Sequence, residues 1–130
     1  MIEFHLDTRS GVPTYLQLAQ QVRQAVRLGI LLPGDQLPTV KDVVGSLAIN
    51  PNTVLKAYRE LDHEGLVEAQ RGVGTFISTT PPPHPPADMK DLRAGLQRWV
   101  DRARAGGLDE DGIDALVADV LRPARSMRVA

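Results

Sequence analysis

Residues 50–58 read NPNTVLKAY. Asn50, Asn52 and Thr53 are short polar side chains at the start of a helically periodic run, and Lys56 lies one helical turn beyond Asn52. A carboxamide donates and accepts at once and so matches an adenine edge, and a threonine offers thymine a hydroxyl or a methyl. Asn50 is equally a strong helix cap and Pro51 a natural first helical residue. Asn52 and Thr53 are also ordinary helix-start residues facing water. Lys41, Lys56, Arg59 and Arg71 either meet phosphates or stand as solvated surface charges. Other chemistry is thin. The chain has no cysteine, which removes disulfides, thiolate metal sites and cysteine nucleophiles and fits a cytoplasmic chain. His5, His63 and His84 are scattered without partners at ligand spacing. DEDGID at 109–114 has its glycine in the fourth position and no twelfth-position glutamate, so it reads as helix capping rather than a calcium loop. With no nucleophile elbow and no phosphate-binding glycine loop, the chain reads as neither an enzyme nor a holder of a metal or cofactor.

The elements that would carry Asn50–Lys56 follow from periodicity. Pro13 suits a first helical turn. Tyr15, Ala19, Val22 and Val26 recur at helical spacing up to Gly29. LLPGDQLP reads as a turn and a very short extended piece. Thr39 opens a second helix of about two turns, with Asp42 as its capping-box partner and Val40, Val43, Val44 and Leu47 as its buried side. A tight connection through Ala48 and Ile49 leads to Asn50. Val54, Ala57, Tyr58 and Leu61 are the inward stripe of the third helix, which Gly65 ends. LVEAQ and TFIS are short strands around RGVG, where tight turning asks Gly72 and Gly74 for positive φ. Three helices and a glycine-tipped hairpin make a winged helix-turn-helix. In that motif the first turn of the second helix of the pair enters the major groove, and small polar side chains there let the helix end approach base edges.

Residues 13–78 resemble the DNA-binding domain of the GntR family of bacterial transcription regulators. The resemblance rests on PTYLQLAQQVRQAV, GILLPGDQLPTVKDV and NPNTVLKAYRELDHEGLVEAQRGVGTF, above all on LxPGxxLP and the closing GxGTF. The form INPNTVxKAY resembles the YtrA subfamily, whose members carry a short C-terminal pair of helices. The resemblance implies that Thr39, Lys41, Asn50, Asn52, Thr53, Lys56, Arg71 and Gly72 meet DNA. The family commonly has serine and arginine where this chain has Thr39 and Lys41. Lysine keeps the charge but loses the bidentate fork, which favours a phosphate contact. Asn50-Pro51 replaces a common Ser-Arg pair and Leu55 a second common arginine, so polar duty passes to Asn52, Thr53 and Lys56. Arg71 and Gly72 match wing positions that approach the minor groove or backbone.

The fold class expected is mainly α, a winged helix-turn-helix over 1–78 followed by a small two-helix element. TTPPPHPP at 79–86 is too proline-dense for helix or central strand, so 79–87 reads as a semi-rigid spacer. Over 88–122, Met89, Leu92, Leu96, Trp99 or Val100, and Ala103 form one amphipathic helix. Leu108, Ile113, Leu116, Val117, Val120 and Leu121 form a second, capped by Asp109. Residues 123–130 read as a flexible tail. Two short helices cannot close a core alone; they pack either on the first domain or on a second copy of the chain, and the resemblance favours the second copy. Leu92, Leu96, Trp99, Val100, Leu116 and Val120 are therefore the expected dimerisation residues; packing between the two helices of one chain is the other place for Trp99.

Net charge is −1, and residues 1–78 hold seven Lys/Arg against eight Asp/Glu. That balance gives no general pull toward phosphate, so affinity must come from local arrangement and from doubling the module. No apolar run approaches the roughly 20 residues of a membrane span. The expected function is a sequence-specific, double-stranded-DNA-binding repressor acting as a homodimer on a palindromic operator. As the resemblance implies, targets would include a transporter operon. A small-molecule effector between the C-terminal helices is a refinement of that reading. The alternative is a winged-helix protein-interaction module, which the near-neutral charge favours.

Overall fold

The computed structural model describes residues 2–79 and 88–123. Apart from Thr79, the spacer at 79–87 lies outside the described residues, as do residues 124–130 of the tail. The chain divides into two compact units, Met1–Pro86 and Ala87–Ala130. The architecture is mainly α, with five helices and one two-stranded antiparallel sheet among the described residues.

In the first unit, α1 spans Thr14–Arg27. Pro13 sits one residue earlier than expected, at the N-cap, where proline has no side-chain acceptor to offer. Its carbonyl takes the Gln17 N–H at 3.1 Å instead. Leu18, Ala19, Val22, Ala25 and Val26 are the buried face. Helix α2 spans Val40–Leu47 and begins with the anticipated capping box. Thr39 Oγ1 accepts from the Asp42 N–H at 3.1 Å, while Asp42 Oδ2 accepts from the Thr39 N–H at 3.4 Å. Val43 is buried, and Val40, Val44 and Leu47 pack half-buried against the core. Ala48 then turns the chain at φ 54°, a left-handed conformation that costs an L-residue roughly 1–2 kcal/mol. Helix α3 spans Pro51–His63, with Pro51 at N1, and buries the stripe Val54, Ala57, Tyr58 and Leu61.

Strands β1 (Val67–Gln70) and β2 (Gly74–Ile77) form the hairpin, pairing Val67 with Ile77 and Gln70 with Gly74. The LPGDQLP segment does more than turn. It lies along the outer edge of β2, with the Leu37 N–H bonded to the Thr75 carbonyl and the Ile77 N–H to the Asp35 carbonyl. Gln36 opposite Phe76 completes this short third rung. Gly74 takes φ 149°, a conformation that strains any residue with a Cβ, and a Cβ there would also have to displace the end of the Gln36 side chain, whose nitrogen would stand 2.5 Å from it.

One hydrophobic cluster joins these elements, with Leu31, Leu37, Val67, Ile77 and Phe4 meeting the buried faces of α1–α3. Two glutamines one turn apart on α1 hold the N-terminal segment against it. Gln21 donates to the His5 carbonyl and accepts from its N–H, and Gln17 treats Asp7 the same way. Arg23 grips both carboxylate oxygens of Glu64 through its guanidinium, tying α1 to the end of α3. That hydrogen bonding holds the Glu64 carboxyl below its ordinary range.

The second unit is sparer. Helix α4 spans Met89–Ala105 and α5 Glu110–Leu121. Asp109 caps α5, its Oδ1 accepting the Gly112 N–H at 2.8 Å. DEDGID is thus a helix start. Ile113 alone is buried among the described residues of this unit.

Candidate nucleic-acid interface

The start of α3 is built from its cap outward. Asn50 Oδ1 accepts the Asn52 N–H at 2.8 Å, and the Asn50 carbonyl takes the Thr53 N–H at 3.0 Å. These bonds satisfy two of the amides that a helix start leaves open. They also fix the direction in which the following side chains leave the helix. Val54, Ala57 and Tyr58 are buried, so the stripe between them is turned outward. Asn52 and Lys56 are exposed and Thr53 is half-buried. Among the described residues, the side chains of Asn52 and Thr53 take no part in the hydrogen bonds that build the fold.

Asn50, Asn52, Thr53 and Lys56 share one depression with Thr14 and Tyr15 from the start of α1. The Lys56 ammonium sits 4.0 Å from the centre of the Tyr15 ring, inside the range of a cation–π contact. Periodicity alone assigns Tyr15 to the inward stripe of α1. It is half-buried against the core and shows its ring face to the lysine. No local pattern marks this pair, because its members are some forty residues apart.

The remaining predicted residues lie elsewhere on the unit. Thr39 and Lys41 stand exposed at the start of α2, and the Thr39 hydroxyl is engaged as a cap acceptor. Arg71 and Gly72 occupy the wing turn, Gly72 at φ 77°. Val73 beside them is 62% exposed. Leu55, on the outside of α3, is also exposed.

The pose of α3 is held from behind. The Tyr58 hydroxyl donates to the buried Pro38 carbonyl at 2.6 Å, linking α3 to the residue before the α2 cap. Burial chiefly, and then the Asp42 charge, push the Tyr58 phenol well above its ordinary range.

In the second unit, Leu92, Leu96, Leu116 and Val120 are exposed, whereas Trp99 and Val100 are half-buried. No helix among the described residues is long and apolar enough to cross a membrane. No group of acids and histidines among them could hold a metal ion.

Comparison with known proteins agrees with this geometry. Residues 14–77 match the family model described as bacterial regulatory proteins, gntR family. The chain is 48% identical over 73 residues to the HTH-type transcriptional repressor YtrA of Bacillus subtilis, covering 56% of each chain. It is 43% identical over 103 residues to the HTH-type transcriptional regulator Rv1152 of Mycobacterium tuberculosis, covering 79% of this chain and 81% of that one. The solved structure of YtrA from Sulfolobus acidocaldarius, a GntR-family transcription factor, superposes with a TM-score of 0.53 at 28% identity, over 92% of this chain and 96% of that one. The proteins to which it is similar are regulators rather than enzymes. A capped, polar-nosed helix beside a glycine-tipped wing, and this likeness over most of the chain, lead to one conclusion: the protein belongs to the GntR family and is a transcriptional regulator with a DNA-binding winged helix.

Proposed function

We propose that the chain is a repressor that binds a palindromic operator as a homodimer. Its regulated target is a transporter operon, as its resemblance to the YtrA subfamily implies. The observation that carries the reading is the nose of α3. Asn52 and Thr53 are polar, turned outward and uncommitted within the fold, and Lys56 follows on the same face. Asn52 and Thr53 read base edges in the major groove. Asn50 caps the helix and presents its remaining amide hydrogens alongside them. Lys41, Lys56 and Arg71 meet phosphates, with Gly72 letting the wing backbone come close and Thr39 fixing the start of α2 beside Lys41. The second unit pairs two copies through Leu92, Leu96, Leu116 and Val120, with Trp99 and Val100 filling the seam from their half-buried positions. A small effector held by these helices would act by changing that pairing.

Binding of the full chain to a duplex selected from a random library tests the reading. Asn52→Ala and Thr53→Ala should each cost roughly 1–3 kcal/mol on the selected site and little on unrelated duplex. Three phosphate-bound cations per copy predict a log–log salt slope of about −3 per copy. Unchanged affinity in both variants, or binding indifferent to salt, refutes the groove assignment.

A further inference from the structure

We infer that Tyr15 is a positioning residue for DNA binding: its ring holds the Lys56 ammonium at the edge of the reading face. The inference rests on the proposed contact of Lys56 with DNA. Lysine is a poor point of recognition when free, because four rotatable bonds must be frozen as its charge meets a phosphate. Here part of that freezing is done beforehand. Tyr15 leaves the first turn of α1, its body packed against the core that α1 and α3 share. Its ring face lies 4.0 Å from Lys56 Nζ. Lys56 reaches it from the exposed side of α3, one turn after Asn52 and Thr53. The ammonium is therefore held in the depression that those two residues line. Among the described residues no carboxylate lies within ion-pairing distance of Lys56. The ring quadrupole attracts the charge without neutralising it, so the cation stays available to an anion on its open side. A carboxylate in place of Tyr15 would hold the lysine equally well and cancel its charge.

The test is a double-mutant cycle with a direct readout of the pair. In the free full-length protein, the Lys56 ε-methylene protons should resonate upfield of the other lysines through the ring current, and Tyr15→Leu should abolish that shift. On a fluorescent duplex selected by the full chain, Tyr15→Leu should weaken binding about two- to five-fold per bound copy, and Tyr15→Phe, which keeps the ring, should leave it unchanged. In a Lys56→Met background Tyr15→Leu should add nothing. An equal loss from Tyr15→Leu with and without Lys56 overturns the inference, because Tyr15 then acts through DNA or the fold directly. So does an unshifted Lys56 resonance, or a Tyr15→Leu variant that binds normally while Lys56→Met does not. A shifted resonance together with full affinity in Lys56→Met instead refutes the DNA contact of Lys56 itself, and the positioning role falls with it.

Discussion

Replacing Tyr58 by phenylalanine asks how firmly α3 is held in the pose its nose requires. The substitution keeps the ring and its packing but deletes one bond, the 2.6 Å contact from the Tyr58 hydroxyl to the Pro38 carbonyl. Pro38 is buried, so its carbonyl is left without that partner and out of reach of bulk water. An orphaned buried acceptor costs about 1–3 kcal/mol, a large share of the roughly 5–15 kcal/mol that holds a small domain together. For a unit of this size each kcal/mol lowers Tm by roughly 4–8 °C. A pH signature gives a second readout, of the buried phenol itself. The Tyr58 phenol is raised in the fold, while in the unfolded chain it titrates near its ordinary value of about 10. Above that pH the unfolded chain gives up a proton that the fold retains. Tyr58 thus adds a loss of stability with rising pH, of up to about 1.4 kcal/mol per pH unit, and none below. Thermal melts followed by circular dichroism, at neutral pH and across the alkaline range, check both parts. Tyr58→Phe should melt lower at neutral pH and fall less steeply in alkali. An unchanged neutral Tm, or the same alkaline slope in both proteins, refutes the argument.

Lys41→Ala and Arg71→Ala should weaken binding to all duplexes about equally and each reduce the salt slope by about 1; a changed sequence preference in a selection assay contradicts the phosphate role. Ala48→Gly should raise stability by roughly 0.5–1 kcal/mol in a urea titration, because glycine takes the left-handed turn between α2 and α3 without a Cβ penalty. Truncation after Thr79 should leave a folded but monomeric winged helix that loses tight operator binding, since among the described residues all the buried core residues except Ile113 lie before that point. Leu96→Asp and Leu116→Asp should give monomers of full length by light scattering; a truncated chain that stays dimeric removes the second unit from the interface.

What the sequence made legible was local. The starts of α2 and α3 were readable because a capping box and an Asn-Pro cap are written within four residues of the helices they open. The buried stripe of α3 followed from 3.6-residue spacing. The start of α1 lies one residue later than expected, with Pro13 at the N-cap although proline favours N1 and offers no side-chain cap. Other features were out of reach for a different reason. The rung from Gln36 to Phe76 and the pair of Tyr15 with Lys56 each join residues about forty positions apart. Such pairings depend on how α1, α3 and the wing come together, which no window of sequence contains. Ala48 gave no sign of its left-handed turn, because alanine is not a residue that announces one. The stripes of α4 and α5 were readable as apolar, but their exposure, 58% for Leu96 and 72% for Val120, needed the fold.

The charge balance that argued against nucleic acid looks different once the acids are located. Of the eight in residues 1–78, Asp42 is taken up in the α2 capping box and Glu64 is held by Arg23. Asp35 accepts the Leu32 N–H and Asp7 the Arg9 N–H, both tying turns. Glu68 meets Ser78 on the strand side of the wing. By contrast, Lys41, Lys56 and Arg71 are exposed and, among the described residues, carry no carboxylate partner. A phosphate responds to the charges within about a Debye length, roughly 8–10 Å, and not to the sum over the chain. A near-neutral total is therefore compatible with a local cation such as Lys56, which has no carboxylate at ion-pairing distance among the described residues. Few cations per copy keep non-specific binding weak. On the proposed reading, discrimination is left to Asn52 and Thr53, and tightness to the pairing of two copies. A winged helix with few cations needs a second unit for affinity more than a strongly basic one would. On the proposed reading, that need gives the exposed apolar stripes of α4 and α5 a reason to persist in a unit with so little core of its own to cover them.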